Sequence, residues 1–113
     1  MNVLKLVSGV FCFGLLQLLP TISVAETPVI EIVIQDHLFY PDEIEIPADT
    51  KVKLVIINKD PSAEEFESYE LNREKVIPGN SKGNVFIGPL KPGEYPFFGE
   101  FFAKTAQGRV IVK

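Results

Sequence analysis

Glu43-Ile44-Glu45-Ile46-Pro47-Ala48-Asp49-Thr50-Lys51-Val52-Lys53-Leu54-Val55-Ile56-Ile57-Asn58 contains two strand patterns joined by a turn. In an extended chain successive side chains leave on opposite faces, so alternation with period two marks a strand with one buried side. Ile44 and Ile46 alternate with Glu43 and Glu45. In the second run Val52, Leu54 and Ile56 take one face, and Lys51, Lys53, Val55 and Ile57 take the other. Pro47 to Thr50 supplies turn residues between the runs, and Asn58 to Ser62 ends the second.

The same punctuation extends in both directions. Val29 to Ile34 is nearly continuous Val and Ile, broken by Glu31, the pattern of a strand covered on both faces. The pairs Pro78-Gly79 and Pro92-Gly93 bracket a strand at Asn84 to Ile87, and Glu94 to Phe98 and Arg109 to Val112 supply the last two. No segment keeps a helical period, and there is no internal repeat. The expected fold is all-β, a small antiparallel Greek-key sandwich of about seven strands over residues 26–113.

Residues 1–25 read differently. They carry one charge, Lys5, followed by Leu6 to Pro20, where only Ser8 and Gln17 are clearly polar. With Ser23 and Ala25 flanking Val24, this is the pattern of a signal peptide cleaved before Glu26. A retained anchor is the competing reading, but the run is shorter than the roughly 18 residues of a span and is interrupted by Gly14 and Pro20. Cys12 is the sole cysteine, and Gly9-Val10-Phe11 before it is not a lipoprotein signal. Residues 26–113 therefore have no thiol, which excludes disulfides, thiolate metal centres and cysteine catalysis there. The expected location is the periplasm.

A chain of 113 residues with 15 acids against 11 bases has room for one domain and no basic surface for nucleic acid. Hydrolysis is excluded on motifs. Ser62, Ser68 and Ser81 lie outside any Gly-x-Ser-x-Gly elbow, Gly79-Asn80-Ser81-Lys82-Gly83 lacks P-loop spacing, and so small a domain has little space for a sugar cleft around Glu65 and Glu67.

Ala63-Glu64-Glu65-Phe66-Glu67-Ser68-Tyr69-Glu70-Leu71 carries the most chemical information. If it is extended, Glu65 and Glu67 share a face and Phe66 takes the other, toward the core. Two adjacent carboxylates are unfavourable unless a cation or a base lies between them, so they suggest a metal site. The competing reading is a solvated acidic edge strand screened by Arg73 or Lys75. His37, the only histidine, is either a solvated loop residue or the one imidazole available to a transition metal. Tyr95, Phe97, Phe98, Phe101 and Phe102 are too dense to be wholly core, so about half are expected to fill the sandwich and the rest to offer a contact surface.

Several motifs resemble a known family. The ending Pro92-Gly93-Glu94-Tyr95-Pro96-Phe97, followed by Gly108-Arg109-Val110-Ile111-Val112, is similar to that of cupredoxins. More narrowly, His37-x-Phe39-x-Pro41, Glu64-Glu65-Phe66-Glu67-Ser68, Arg73-Glu74-Lys75-Val76-Ile77-Pro78-Gly79, Gly88-Pro89-Leu90 and Phe98-Gly99-Glu100-Phe101 resemble cupredoxin-like proteins of bacterial ferrous-iron uptake. Those are the FtrB-type periplasmic proteins and the amino-terminal domain of EfeO. The resemblance covers essentially all of residues 26–113.

The resemblance implies a metal site and also shows where this chain departs from it. Blue-copper ligands would fall at Glu65, Gly99, Phe102 and Gln107, none of them the required residue, so no type 1 copper is expected. The EfeO-type ligand positions fall at Phe39, Glu65 and Gly99, and only Glu65 is kept. The FtrB-like branch reads Gly-Glu-Phe-His where this chain reads Gly99-Glu100-Phe101-Phe102, which keeps His37 and loses the second histidine. The implied ligands are His37, Glu65, Glu67 and Glu100, an oxygen-rich set suited to iron or Cu(II). The implied function is a metal-binding accessory protein that assists ferrous-iron oxidation, as an accessory ferroxidase, or delivery to an iron permease. Two chains could also share a site as a homodimer. The alternative is a metal-free module that docks a transporter or partner subunit through its aromatic residues.

Overall fold

The computed structural model describes residues 26–113; the expected signal peptide, 1–25, lies outside the described residues. Nine strands follow in chain order: β1 (Val29–Gln35), β2 (Leu38–Tyr40), β3 (Glu43–Ile46), β4 (Val52–Asn58), β5 (Glu64–Ser68), β6 (Arg73–Ile77), β7 (Ser81–Ile87), β8 (Gly93–Gly99) and β9 (Gln107–Val112). They form two sheets, ordered β2-β1-β4-β7 and β3-β9-β8-β5-β6.

The all-β sandwich is as expected, with two corrections. The sheets are mixed, because β1 runs parallel to β4 and β3 parallel to β9. From β1 the chain passes through β2 to β3 in the other sheet before β4 returns beside β1, so both enter the first sheet in the same direction. The count also exceeds seven. β2 has three residues, and β6 buries only Ile77, so neither shows the apolar alternation by which strands are recognised. β6 is held by its ladder with β5.

Burial follows the alternation closely in β4, where Val52, Leu54, Ile56 and Asn58 face inward and Lys53, Val55 and Ile57 are half-buried. β1 is covered less than its sequence suggests. Ile32 and Ile34 are buried, whereas Val29 and Glu31 are exposed. Between the sheets lies an aromatic cluster from three strands. Phe97 packs 5.0 Å from Phe39 edge-on and 5.0 Å from Phe66, and all three are buried. Such rings contribute burial plus edge-to-face attraction. Among the described residues, both sheets and this core are built from residues 26–113.

Truncating the cluster therefore leaves a cavity at the centre of the sandwich. Phe66→Ala is expected to lower stability by about 3–5 kcal/mol, read from the urea midpoint. Phe86→Ala, at a ring 43 % exposed, is expected to cost less than about 1 kcal/mol.

Candidate metal centre

β5 sits inside its sheet, between β8 and β6, which corrects the reading of an acidic edge strand. Phe66 enters the core, so Glu65 and Glu67 point together to the outer face. The chain then turns through Tyr69 to Asn72, closed by Asn72 N donating to Tyr69 O at 3.1 Å with Asn72 at φ 53°. Asn tolerates that left-handed conformation. The resulting register sets Glu74 opposite Glu67 and Lys75 opposite Phe66. Directly paired residues share a face, so Glu74 joins the carboxylates and Lys75 does not. Arg73 is engaged elsewhere: its Nε donates to Phe86 O at 2.7 Å and its Nη1 to Asn72 O. The expected screening by Arg73 or Lys75 is thus absent.

One carboxylate oxygen from each of Glu65, Glu67 and Glu74 lies within 4.8 Å of the others. Glu100 stands beside them, because its backbone N donates to Glu65 O at 2.9 Å. The Glu67 carboxyl is held above its ordinary value, first by desolvation and then by a hydrogen bond with Glu65 and the charges of Glu100, Glu65 and Glu74. Tyr69, whose ring packs 5.5 Å from Phe98, has its phenol pushed up chiefly by Glu67. The face concentrates negative charge and oxygen donors, the chemistry that favours a hard cation. Glu74 escapes the sequence because it is recruited by hairpin register, which only the Asn72 turn foreshadows.

His37 is not brought to these carboxylates. Asp36 and His37, at φ 53° and 59°, form the two-residue turn between β1 and β2. Two successive positive φ values mark a type I′ turn, whose twist matches a hairpin. Asp60 clasps it, its oxygens accepting from Asp36 N at 2.8 Å and His37 N at 3.0 Å, with His37 Nδ1 at 3.4 Å. Asn58 in turn steadies Asp60 by accepting from Asp60 N. The imidazole stacks on Phe102 with ring centres 3.6 Å apart. Among the described residues the one cluster of three ligand-type side chains is Glu65, Glu67 and Glu74. The four expected ligands therefore divide: Glu65 and Glu67 lie together with Glu74, Glu100 adjoins them through its backbone bond without its carboxylate joining the cluster, and His37 is held by Asp60 and Phe102.

A thiolate copper site does not fit these residues. Gly99 occupies the expected thiolate position, and a Cβ there would lie 2.4 Å from the carboxyl carbon and Oε2 of Glu64. Glu64, only 2 % exposed, has a structural role that its sequence pattern does not signal: Oε1 accepts from Glu65 N at 2.9 Å and Phe101 N at 2.8 Å. Its Oε2 finds no partner among the described residues. Of the five aromatic residues only Phe97 is fully buried, fewer than the half expected to fill the sandwich, because Phe101 and Phe102 lie in the turn after β8. Phe97 is core and Tyr95 packs against it, while Phe98 and Phe102 are half-buried and Phe101 is 50 % exposed.

The raised Glu67 carboxyl has a consequence for stability. A carboxyl that holds its proton more firmly when folded makes the folded state lose stability as pH rises from the ordinary value, 4.5, through the raised one. Below 4.5 that penalty is absent. Glu67→Gln is expected to raise the urea midpoint of the metal-free domain at about pH 7 and to lose that advantage below about pH 4. An equal gain at both would contradict the charge cluster.

Known proteins agree with this architecture. A protein of Rickettsia prowazekii (strain Madrid E), uncharacterized protein RP394, is 47 % identical over 83 residues, 74 % of this chain and 66 % of that relative. The chain thus spans just under two thirds of that relative's length. The metal-binding domain of the Streptococcus pneumoniae D39 Cu(I)-exporting P-type ATPase CopA superposes with a TM-score of 0.69 at 17 % identity, over 80 % of this chain and 91 % of that one. Auracyanin A, a "blue" copper protein of Chloroflexus aurantiacus, gives a TM-score of 0.68 at 13 % identity, over 78 % of this chain and all of that one (100 %). Those identities establish a shared fold. The family of the cupredoxin-like domain matches residues 6–112, and the chain belongs to it.

Proposed function

We propose that this chain is a periplasmic metal-binding accessory protein of ferrous-iron uptake, which holds iron or Cu(II) on the carboxylate face of β5 and β6. The observation that carries this is the convergence of Glu65, Glu67 and Glu74 within 4.8 Å, with Glu100 alongside. Structural neighbours that bind copper, and the motifs that resemble those of ferrous-iron uptake proteins, support it.

Iron is the cargo in this reading. Carboxylate oxygens favour the harder ferric ion over the ferrous, which lowers the reduction potential of iron held by them. The chain's own groups contribute the negative field that attracts the cation and the oxygens that replace part of its water shell. Assisted oxidation requires an acceptor for the one electron each ferrous ion releases, a copper ion or a redox partner protein, whereas in delivery the iron passes to an iron permease with no change of oxidation state.

A second reading rests on the apolar residues that follow Glu100 in the same loop. Phe101, 50 % exposed, and Leu38, 38 % exposed, flank the His37–Phe102 stack. In that reading this apolar rim docks a transporter or partner subunit and no metal is needed.

Calorimetric titration separates the two. Residues 26–113 are expected to bind Cu(II), and Fe(II) under anaerobic conditions, with micromolar or tighter affinity, about 8 kcal/mol. Glu65→Gln and Glu74→Gln should each weaken it by about tenfold or more, whereas His37→Ala should change it less than about threefold. Equally weak binding by wild type and all variants leaves the docking reading.

A further inference from the structure

We propose that Glu64 is a positioning residue: its buried carboxylate braces the loop 99–106 onto β5 and so holds Glu100 beside Glu65 and Glu67. The consequence for metal rests on the function proposed above. The brace itself rests on geometry.

The ladder between β5 and β8 is short, pairing Phe66 with Gly99 and Glu67 with Phe98. Beyond Gly99 the backbone adds one bond, from Glu100 N to Glu65 O at 2.9 Å. At the next donor, Phe101 N, a side chain takes over, and Glu64 Oε1 accepts at 2.8 Å. The same oxygen accepts from Glu65 N at 2.9 Å, so one carboxylate joins β5 to a residue 37 positions further along the chain. Two backbone donors thus converge on a single carboxyl oxygen.

Placing this group in the interior is costly, and Oε2 remains without a partner among the described residues. An apolar side chain of similar size would fill the space at less cost but could not hold Phe101 N. Gly99 is part of the device, since a Cβ there would strike Glu64 at 2.4 Å and Ala106 at 2.8 Å. The far end of the loop is closed by Gly99 N donating to Ala106 O at 2.8 Å. The opposite end of β5 uses a polar clip of the same kind: Ser68 Oγ donates to Pro96 O at 2.6 Å and accepts from Leu71 N.

The test compares wild type, Glu64→Ala, Glu64→Gln and Gly99→Ala in residues 26–113, by amide exchange and by titration with Cu(II) alone. In Glu64→Ala the Phe101 amide should exchange about tenfold faster or more, relative to Val110, and the Cu(II) Kd should rise by about tenfold. Glu64→Gln keeps the accepting oxygen and should stay within about threefold of wild type on both measures. If Glu64→Ala does not fold, Gly99→Ala displaces the carboxylate while retaining it and should show the same selective exchange. Unchanged Phe101 protection in Glu64→Ala or Gly99→Ala overturns the brace, as does a Glu64→Gln variant as impaired as Glu64→Ala. Wild type without Cu(II) affinity overturns the proposed function and the positioning role with it. Wild-type affinity that Glu64→Ala leaves intact overturns the positioning role alone.

Discussion

Burial of Phe66 against Phe39 and Phe97 sets the phase of β5, and the outer face depends on that phase. Strand side chains alternate strictly, so a slip of one residue would send Glu65 and Glu67 into the core and Phe66 into water. The hydrophobic term for one phenylalanine, about 2–3 kcal/mol, works together with the desolvation of Glu65 and Glu67, offset only in part by release of Glu64, to exclude that slip. The apolar core thereby enforces a concentration of charge that electrostatics alone would disperse. Glu74 arrives by the same logic, carried opposite Glu67 by the register of the β5–β6 hairpin.

The two polar centres of the domain differ in how their charges are satisfied. Asp60 is matched by two backbone donors and the nearby imidazole, so the β1–β2 turn is a locked structure with its carboxylate fully engaged. Among the described residues neither Arg73 nor Lys75 is placed against Glu65, Glu67 and Glu74, since Arg73 donates to backbone oxygens and Lys75 pairs opposite Phe66, and Arg109, farther along the same face, is engaged by Glu43 and Glu94. Desolvation, the hydrogen bond with Glu65 and then the neighbouring negative charges raise the Glu67 carboxyl. A cation bound there would relieve repulsion already present in the fold, which favours binding without a large rearrangement.

Much of the fold was legible in the residues because period-two burial leaves a direct trace: β3, β4, β8 and β9 could be read from Ile44 and Ile46, Val52 to Ile56, and the runs around Phe97 and Val110. β6 left no such trace, being a polar strand formed by pairing. The mixed order of the sheets is a long-range property that local alternation does not encode. In the candidate site, Glu65 and Glu67 were legible because they are two apart in one strand, and the resemblance added Glu100. Glu74 and Glu64 were not, since one depends on hairpin register and the other is a carboxylate inside the sandwich, where composition predicts apolar side chains. His37 drew notice as the sole imidazole, but its position follows from the clasp of Asp60, which no local motif announces.

The central claim is that a metal ion binds on the outer face of β5 and β6. The most direct measurement is site-resolved paramagnetic broadening of amide resonances in residues 26–113 on adding substoichiometric Mn(II) or Cu(II). Selective loss of signal at Glu65, Glu67, Glu74 and Glu100, with Asp36, His37 and Asp60 retained, is the predicted result. Loss centred on His37 and Asp60, or uniform loss across the domain, would contradict it.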